Sequence, residues 1–180
     1  MIKIMDYSKT SNEEIFYRGM AASGVEDIVA EIISDVRKNK DAALFKYCKN
    51  FDNTDTDKLE VTQEEIDEAF ASVDPHFIEV IKKARENIYN YHKHQVKNSF
   101  IISENDGVVL GQKVTPLKRA GIYVPGGTAA YPSTVLMNIV PAKIAGVDEI
   151  VMTSPAKDGK INPIILAAAK IAGADRIFKV

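Results

Sequence analysis

The sequence predicts an α/β protein in which an N-terminal helical region is followed by a βαβαβ unit, half of a doubly wound parallel sheet. Residues 1 to about 98 are rich in charge and have helical periodicity, whereas residues 120–180 are small, apolar and interrupted by Gly and Pro. In the second stretch, short apolar runs alternate with segments of helix length, which is typical of strands that pair in parallel. The predicted division is an N-terminal arm at 1–20, a helical region with a hairpin at 21–119 that is part of a larger domain, and the βαβαβ unit at 120–180.

Three capping-box patterns mark helix starts in the first region. Ser11, Ser23 and Thr62 are each followed three residues later by Glu, so that a hydroxyl and a carboxylate can satisfy opposite backbone N–H groups. After Ser23, apolar residues recur at three- and four-residue spacing over 25–36. This spacing predicts an amphipathic helix whose apolar face lies in the core.

A longer helix and a hairpin follow. The Asp74-Pro75 step combines an N-cap with a proline suited to the first helical turn, and it predicts a helix to about residue 94. The apolar runs 100–102 and 108–110 are separated by an Asp106-Gly107 step that suits a turn with positive φ. These runs predict two antiparallel strands.

The βαβαβ unit is predicted from five consecutive segments. The second helix is expected to open at Asn162-Pro163 and to close at Gly173, since Pro favours the first helical turn and Gly the residue after the last. The segments are a strand at 121–124, a helix at 135–144, a strand at 149–153, that second helix and a strand at 176–180.

Composition excludes several classes of partner. The 23 basic and 25 acidic residues give a net charge of -2, which provides no general attraction for nucleic acid or anionic lipid. The N-terminus lacks a signal-peptide pattern, and no apolar run is long enough to span a bilayer. Cys48 is the only cysteine, which is consistent with a reducing compartment. We therefore expect a cytoplasmic protein with neither nucleic acid nor membrane as partner.

The best-placed candidate site is the loop at 125–132, because ligands of an open parallel sheet bind beyond the carboxyl ends of its strands. Gly126 and Gly127 would let the backbone approach a phosphate or pyrophosphate at the start of the next helix. A flexible connection is an equal alternative, and no standard nucleotide fingerprint is present. Tyr123, at the end of the preceding strand, could stack on a flat ligand or pack in the core.

No catalytic residue or metal ligand is predicted. His92 and His94 are two residues apart on a helix, hence on different faces, and His76 has no third ligand nearby. Cys48 has no neighbouring histidine to lower its pKa, which favours a partly buried structural thiol.

The chain resembles histidinol dehydrogenases over essentially its whole length. The resemblance is carried by residues 121–138 and 141–147, continues through 159–163 and 167–175, and includes the earlier segments 29–37 and 41–44. It corresponds to roughly the first two fifths of the family's length, so an N-terminal portion is expected to leave apolar surface uncovered.

The resemblance implies an NAD-dependent enzyme of histidine biosynthesis that oxidises L-histidinol to L-histidine through the aldehyde. It implies an incomplete Rossmann-like sheet, a homodimer and a bound zinc ion. It also implies that the zinc ligands and the acid-base pair both lie outside these 180 residues. It assigns Tyr123 to the cofactor, with Gly126 and Gly127 in the same segment, and no catalytic residue to this chain, which is expected to be inactive alone.

Two other interpretations remain open from the sequence. One is a naturally short, non-catalytic binding or dimerisation module that keeps the first half of the fold. The other is an unrelated α/β protein that binds phosphate at the glycine loop.

Overall fold

The computed structural model describes residues 4–16, 24–104, 106–126 and 130–180, and its contacts separate the chain into a unit at Met1–Asp41 and a unit at Ala42–Val180. In the first unit, α1 spans Asn12–Phe16 and α2 spans Val25–Asn39. The predicted cap at Ser11 is present, because its hydroxyl accepts the Glu14 N–H at 3.2 Å. The cap predicted at Ser23 is wrong by one residue: Gly24 is the N-cap of α2, and Ser23 lies outside the described residues.

The predicted helix at 25–36 is confirmed, but the prediction that its apolar face is core is wrong. None of the residues of α2 is buried, and Val25, Ile28, Val29 and Ile33 are between 44% and 58% exposed. Periodicity identifies the face of a helix that can be buried, whereas burial itself depends on a partner surface that lies elsewhere in the sequence.

Three helices and a hairpin open the second unit. α3 spans Asp41–Asp52, α4 spans Gln63–Ser72, and α5 spans Pro75–His92 and continues into a 3₁₀ turn at Lys93–Gln95. Both predicted caps are confirmed: Thr62 and Glu65 form a reciprocal capping box, and the Asp74 carboxylate accepts the His76 N–H at 2.7 Å.

The predicted hairpin is confirmed, with strand β1 at Phe100–Ser103 and strand β2 at Val109–Gln112. The strands are antiparallel, and Gly107 has the positive φ, +86°, that the turn requires. Every residue of both strands is exposed. A two-stranded hairpin has little stability of its own without a covering surface.

The βαβαβ unit is confirmed as a parallel sheet in the order β3-β4-β5. Its helix α6 begins three residues before the predicted start, because Pro132 already occupies the first turn. The elements are β3 at Arg119–Tyr123, α6 at Pro132–Ile144, β4 at Glu149–Ser154, α7 at Pro163–Ala172 and β5 at Arg176–Lys179. Residues 59–61 add an antiparallel segment to the outer edge of β5, through the Val61 N–H on the Ile177 carbonyl at 2.9 Å.

The core lies between this sheet and the helices. Ile150 and Met152 of β4 are fully buried in one cluster with Ile139 of α6 and Ile81 of α5. Since α5 comes from the predicted helical region, packing crosses the predicted boundary at 119/120. The three-part division of the chain remains a prediction. Among the described residues, no helix is long and apolar enough to cross a membrane.

Candidate functional site

The carboxyl ends of the three parallel strands form the edge at which a ligand of such a sheet is expected. Tyr123, Thr153 and Phe178 lie in one row across β3, β4 and β5 at this edge. Tyr123 is 60% exposed, and the Thr153 hydroxyl donates to the Val180 carbonyl at 2.9 Å. An aromatic side chain is therefore available to a flat ligand at the position where the sequence predicted one.

Gly126 brings the loop after β3 against the loop after β4. A Cβ added to Gly126 would lie 3.1 Å from the Cβ of Pro155, which is tighter than ordinary packing allows. The absence of a side chain at Gly126 thus permits a close approach between two loops of the protein. Gly127, the second predicted cofactor contact, lies outside the described residues.

The loop after β4 is held in place by a buried threonine. Thr54 is 1% exposed; its hydroxyl donates to the Ala156 carbonyl at 2.8 Å and accepts the Gly159 N–H at 3.1 Å. Asp158 and Gly159 both have positive φ, and the backbones of Lys157 and Lys160 pair around them, as in a tight hairpin turn. This anchoring makes one side of the strand-end edge a fixed surface.

A cavity of about 450 Å³ opens between this loop and the end of α3. Asp52 is half-buried in its wall, and its carboxylate has no hydrogen bond or ion pair within the described residues. Burial raises the pKa of the Asp52 carboxyl. The lining consists of Phe51, Asp52, Asn53, Pro155, Ala156, Lys157 and Asp158.

The groups in this cavity suit a ligand that has a flat ring and, next to it, a part with hydroxyl groups. Phe51 is exposed and stacks in parallel on Tyr47, with ring centroids 5.6 Å apart, so its outer face is available for stacking. The Asp52 carboxylate can accept hydrogen bonds from hydroxyl groups, and Lys157 adds a positive charge. Pro155 lines the cavity and also lies against Gly126, so the cavity adjoins the described start of the loop after β3.

Sequence reasoning missed this cavity. Its two walls are about 100 residues apart in the chain, and neither wall contains a motif of its own. The position of Phe51 and Asp52 at the end of a helix gives no signal that they meet the loop after β4.

The cysteine and histidine residues that were considered as chemical groups lie outside the candidate site. Cys48 is buried, and its thiol lies 3.4 Å from the Lys179 carbonyl; burial, together with the nearby Asp52 charge, raises the pKa of the thiol. The prediction of a structural thiol is consistent with this environment. His92 contacts Gln95 on the surface, and no group of three or more His, Cys, Asp or Glu side chains within the described ranges could hold a metal ion.

Comparison with known proteins identifies the family. The sequence profile described as histidinol dehydrogenase matches residues 18–180. The chain is 46% identical to the histidinol dehydrogenase of Clostridium acetobutylicum over 100% of its own length and 43% of that protein. It is 50% identical to the Geobacillus kaustophilus histidinol dehydrogenase over 88% of the chain and 38% of that protein.

A solved structure agrees with the sequence comparison. The crystal structure of histidinol dehydrogenase from Elizabethkingia anophelis superposes with a TM-score of 0.85 at 36% identity, over 91% of this chain and 38% of that one. The chain thus spans about 40% of the length of these relatives, as expected of an N-terminal portion, and the interpretation as an unrelated phosphate-binding protein is wrong. From this evidence, the chain belongs to the histidinol dehydrogenase family.

Proposed function

We propose that the whole protein oxidises L-histidinol to L-histidine through the aldehyde with NAD+ as the hydride acceptor, and that this chain supplies one wall of the cofactor site. Family membership over residues 18–180 is the observation that carries the proposal. The proposal extends to a homodimer, which the family resemblance implies, and to the cytoplasm, with which the single Cys48 is consistent.

The strand-end edge fits a dinucleotide. The exposed ring of Tyr123 can stack on or donate a hydrogen bond to the cofactor, while Gly126 lets the loop lie close beside it. The adjoining cavity of about 450 Å³ offers Phe51 for a base and Asp52 for ribose hydroxyl groups. The bound cofactor would accept the hydride, and these residues would bind and orient it.

Zinc does not fit the described residues, because they contain no cluster of metal-ligating side chains. We therefore assign neither a zinc ligand nor an acid-base residue to this chain. Without these groups, the 180-residue chain alone is expected to bind L-histidinol poorly and to have no turnover.

The test begins with the natural protein, captured from its cells with an antibody to residues 75–95. The proposal predicts a mass more than twice 19.9 kDa and L-histidinol-dependent reduction of NAD+, whereas the recombinant chain has neither property. A single natural species near 19.9 kDa without this activity would contradict the proposal and favour a naturally short binding or dimerisation module. Turnover by the purified chain would contradict the assignment of no catalytic residue.

A further inference from the structure

A second cavity, of about 240 Å³, lies between α4, α7 and the end of β5, on the helix-covered side of the sheet. Four charged side chains line it: Glu65 and Glu68 from α4, Lys160 from the loop before α7, and Lys179 from β5. Two negative and two positive groups therefore face one small space. A free anion or cation would be attracted by one pair and repelled by the other, whereas a molecule with both charges can place each charge beside the opposite pair.

Lys179 has hydrogen-bonding capacity that the protein does not use. It is 7% exposed, and a lysine this buried is rare. Its ammonium group has three N–H donors, but Glu65 Oε1, at 2.5 Å, is its one acceptor within the described residues. Because Lys179 lines the cavity, an acceptor oxygen of a ligand there could accept hydrogen bonds from its remaining N–H groups.

The groups at the mouth of the cavity are also available. The side chains of Glu68 and Lys160 are exposed and form no ion pair within the described part of the chain. Between these groups, Val61 and Leu166 give the wall an apolar surface.

We propose that this cavity binds a small neutral zwitterion, an α-amino acid with an aliphatic side chain. Its carboxylate accepts hydrogen bonds from Lys179 and Lys160, its ammonium group donates to Glu68 and Glu65, and its side chain contacts Val61 and Leu166. The cavity is smaller than a typical site for a drug-sized ligand, which matches a ligand of this size. The site is separate from the cavity between α3 and the loop after β4, and it does not depend on the proposed cofactor.

The test is a titration of the ¹⁵N-labelled chain with L-leucine. Saturable shifts are expected in the amide signals of residues 61–72 and 160–166. N-acetyl-L-leucine, which lacks the ammonium charge, and L-leucinamide, which lacks the carboxylate, should each bind about tenfold more weakly.

Glu68 and Lys160 are exposed, so substitutions at these positions test the site without a large expected effect on stability. Glu68→Gln and Lys160→Gln should each weaken L-leucine binding about tenfold, whereas the controls Glu64→Gln, on the same helix, and Lys58→Gln should leave it unchanged. The proposal is overturned by the absence of saturation below about 10 mM, by shifts confined to other residues, or by an affinity for either charge-deleted analogue that equals the affinity for L-leucine.

Discussion

Lys179 illustrates how a single residue links distant parts of the fold. Its backbone N–H donates to the Leu59 carbonyl at 2.7 Å, and its carbonyl lies beside the thiol of Cys48. Its buried ammonium group pairs with the half-buried carboxylate of Glu65. The charge of Lys179 is tolerated here because its attraction to the Glu65 carboxylate compensates the cost of removing the ammonium group from water.

Removing one partner of this pair should destabilise the protein. Glu65→Gln leaves the Lys179 ammonium buried without its carboxylate, and we expect a loss of roughly 2–4 kcal/mol in the free energy of unfolding. Adding Lys179→Met should restore most of this loss, because the uncompensated charge is then gone. Urea unfolding of the two variants checks this, and a double variant no more stable than Glu65→Gln would contradict it.

The same pair predicts a dependence on pH. Burial raises the pKa of Glu65, but the hydrogen bonds from Lys179 and the Thr62 N–H, with the charges of Lys179 and Lys160, outweigh burial and lower the pKa overall. A carboxyl with a lowered folded-state pKa stabilises the fold above its unfolded pKa, and this contribution disappears as the pH falls through the folded pKa. Stability should therefore decline as the pH falls below the ordinary pKa of a Glu side chain, about 4.3, with a smaller decline in Glu65→Gln.

Single residues could be predicted from sequence where the signal is local. Tyr123 and Gly126 follow from the order strand, glycine loop, helix, which places them at the carboxyl end of a parallel strand. The position of Phe51 and Asp52 in a cavity could not be predicted, because the cavity depends on contact with a loop about 100 residues away. The burial of Lys179 was also missed, since charge in a terminal strand suggests exposure.

At the scale of elements, the best predictions rest on caps. Thr62, Asp74 and Asn162 each accept backbone N–H groups at the start of a helix, and Gly173 ends α7 in the left-handed conformation. These interactions involve neighbours within three residues, so the sequence contains the whole signal. The apolar face of α2 shows the limit, because its burial depends on a surface elsewhere.

The cap of α5 gives a quantitative prediction. Asp74→Ala removes the acceptor of the His76 and Phe77 N–H groups and should lower the free energy of unfolding by about 1 kcal/mol. The control Asp57→Ala changes an exposed aspartate outside any helix and should have little effect. Chemical denaturation of both variants is the measurement, and equal stabilities would contradict a role for the cap.

At the scale of the whole molecule, the expectation of uncovered apolar surface is confirmed. Large apolar side chains are exposed on α2 and throughout the hairpin of β1 and β2, although the sheet and its helices enclose a continuous core. Such surfaces usually mark interfaces. The chain spans about 40% of the length of its relatives, and we propose that further parts of the whole protein cover them.

The exposed face of α2 should bind a hydrophobic dye. Replacing Ile28 and Ile33 together by Ser should reduce the fluorescence of bound anilinonaphthalene sulfonate, because both side chains are exposed on one apolar face. The control Lys38→Ser changes an exposed polar residue of the same helix. Undiminished fluorescence in the double variant would show that α2 is not a site of dye binding.

The most direct test of the central claim, that this chain forms a wall of the cofactor site, is a titration of the ¹⁵N-labelled chain with NAD+. The account predicts shifts at residues 123–126, 51–53 and 155–158. These shifts should be lost in Tyr123→Ala and retained in Tyr91→Ala, which removes another exposed tyrosine. An absence of shifts at these residues, shifts confined to other surfaces, or equal responses of the two variants would contradict the account.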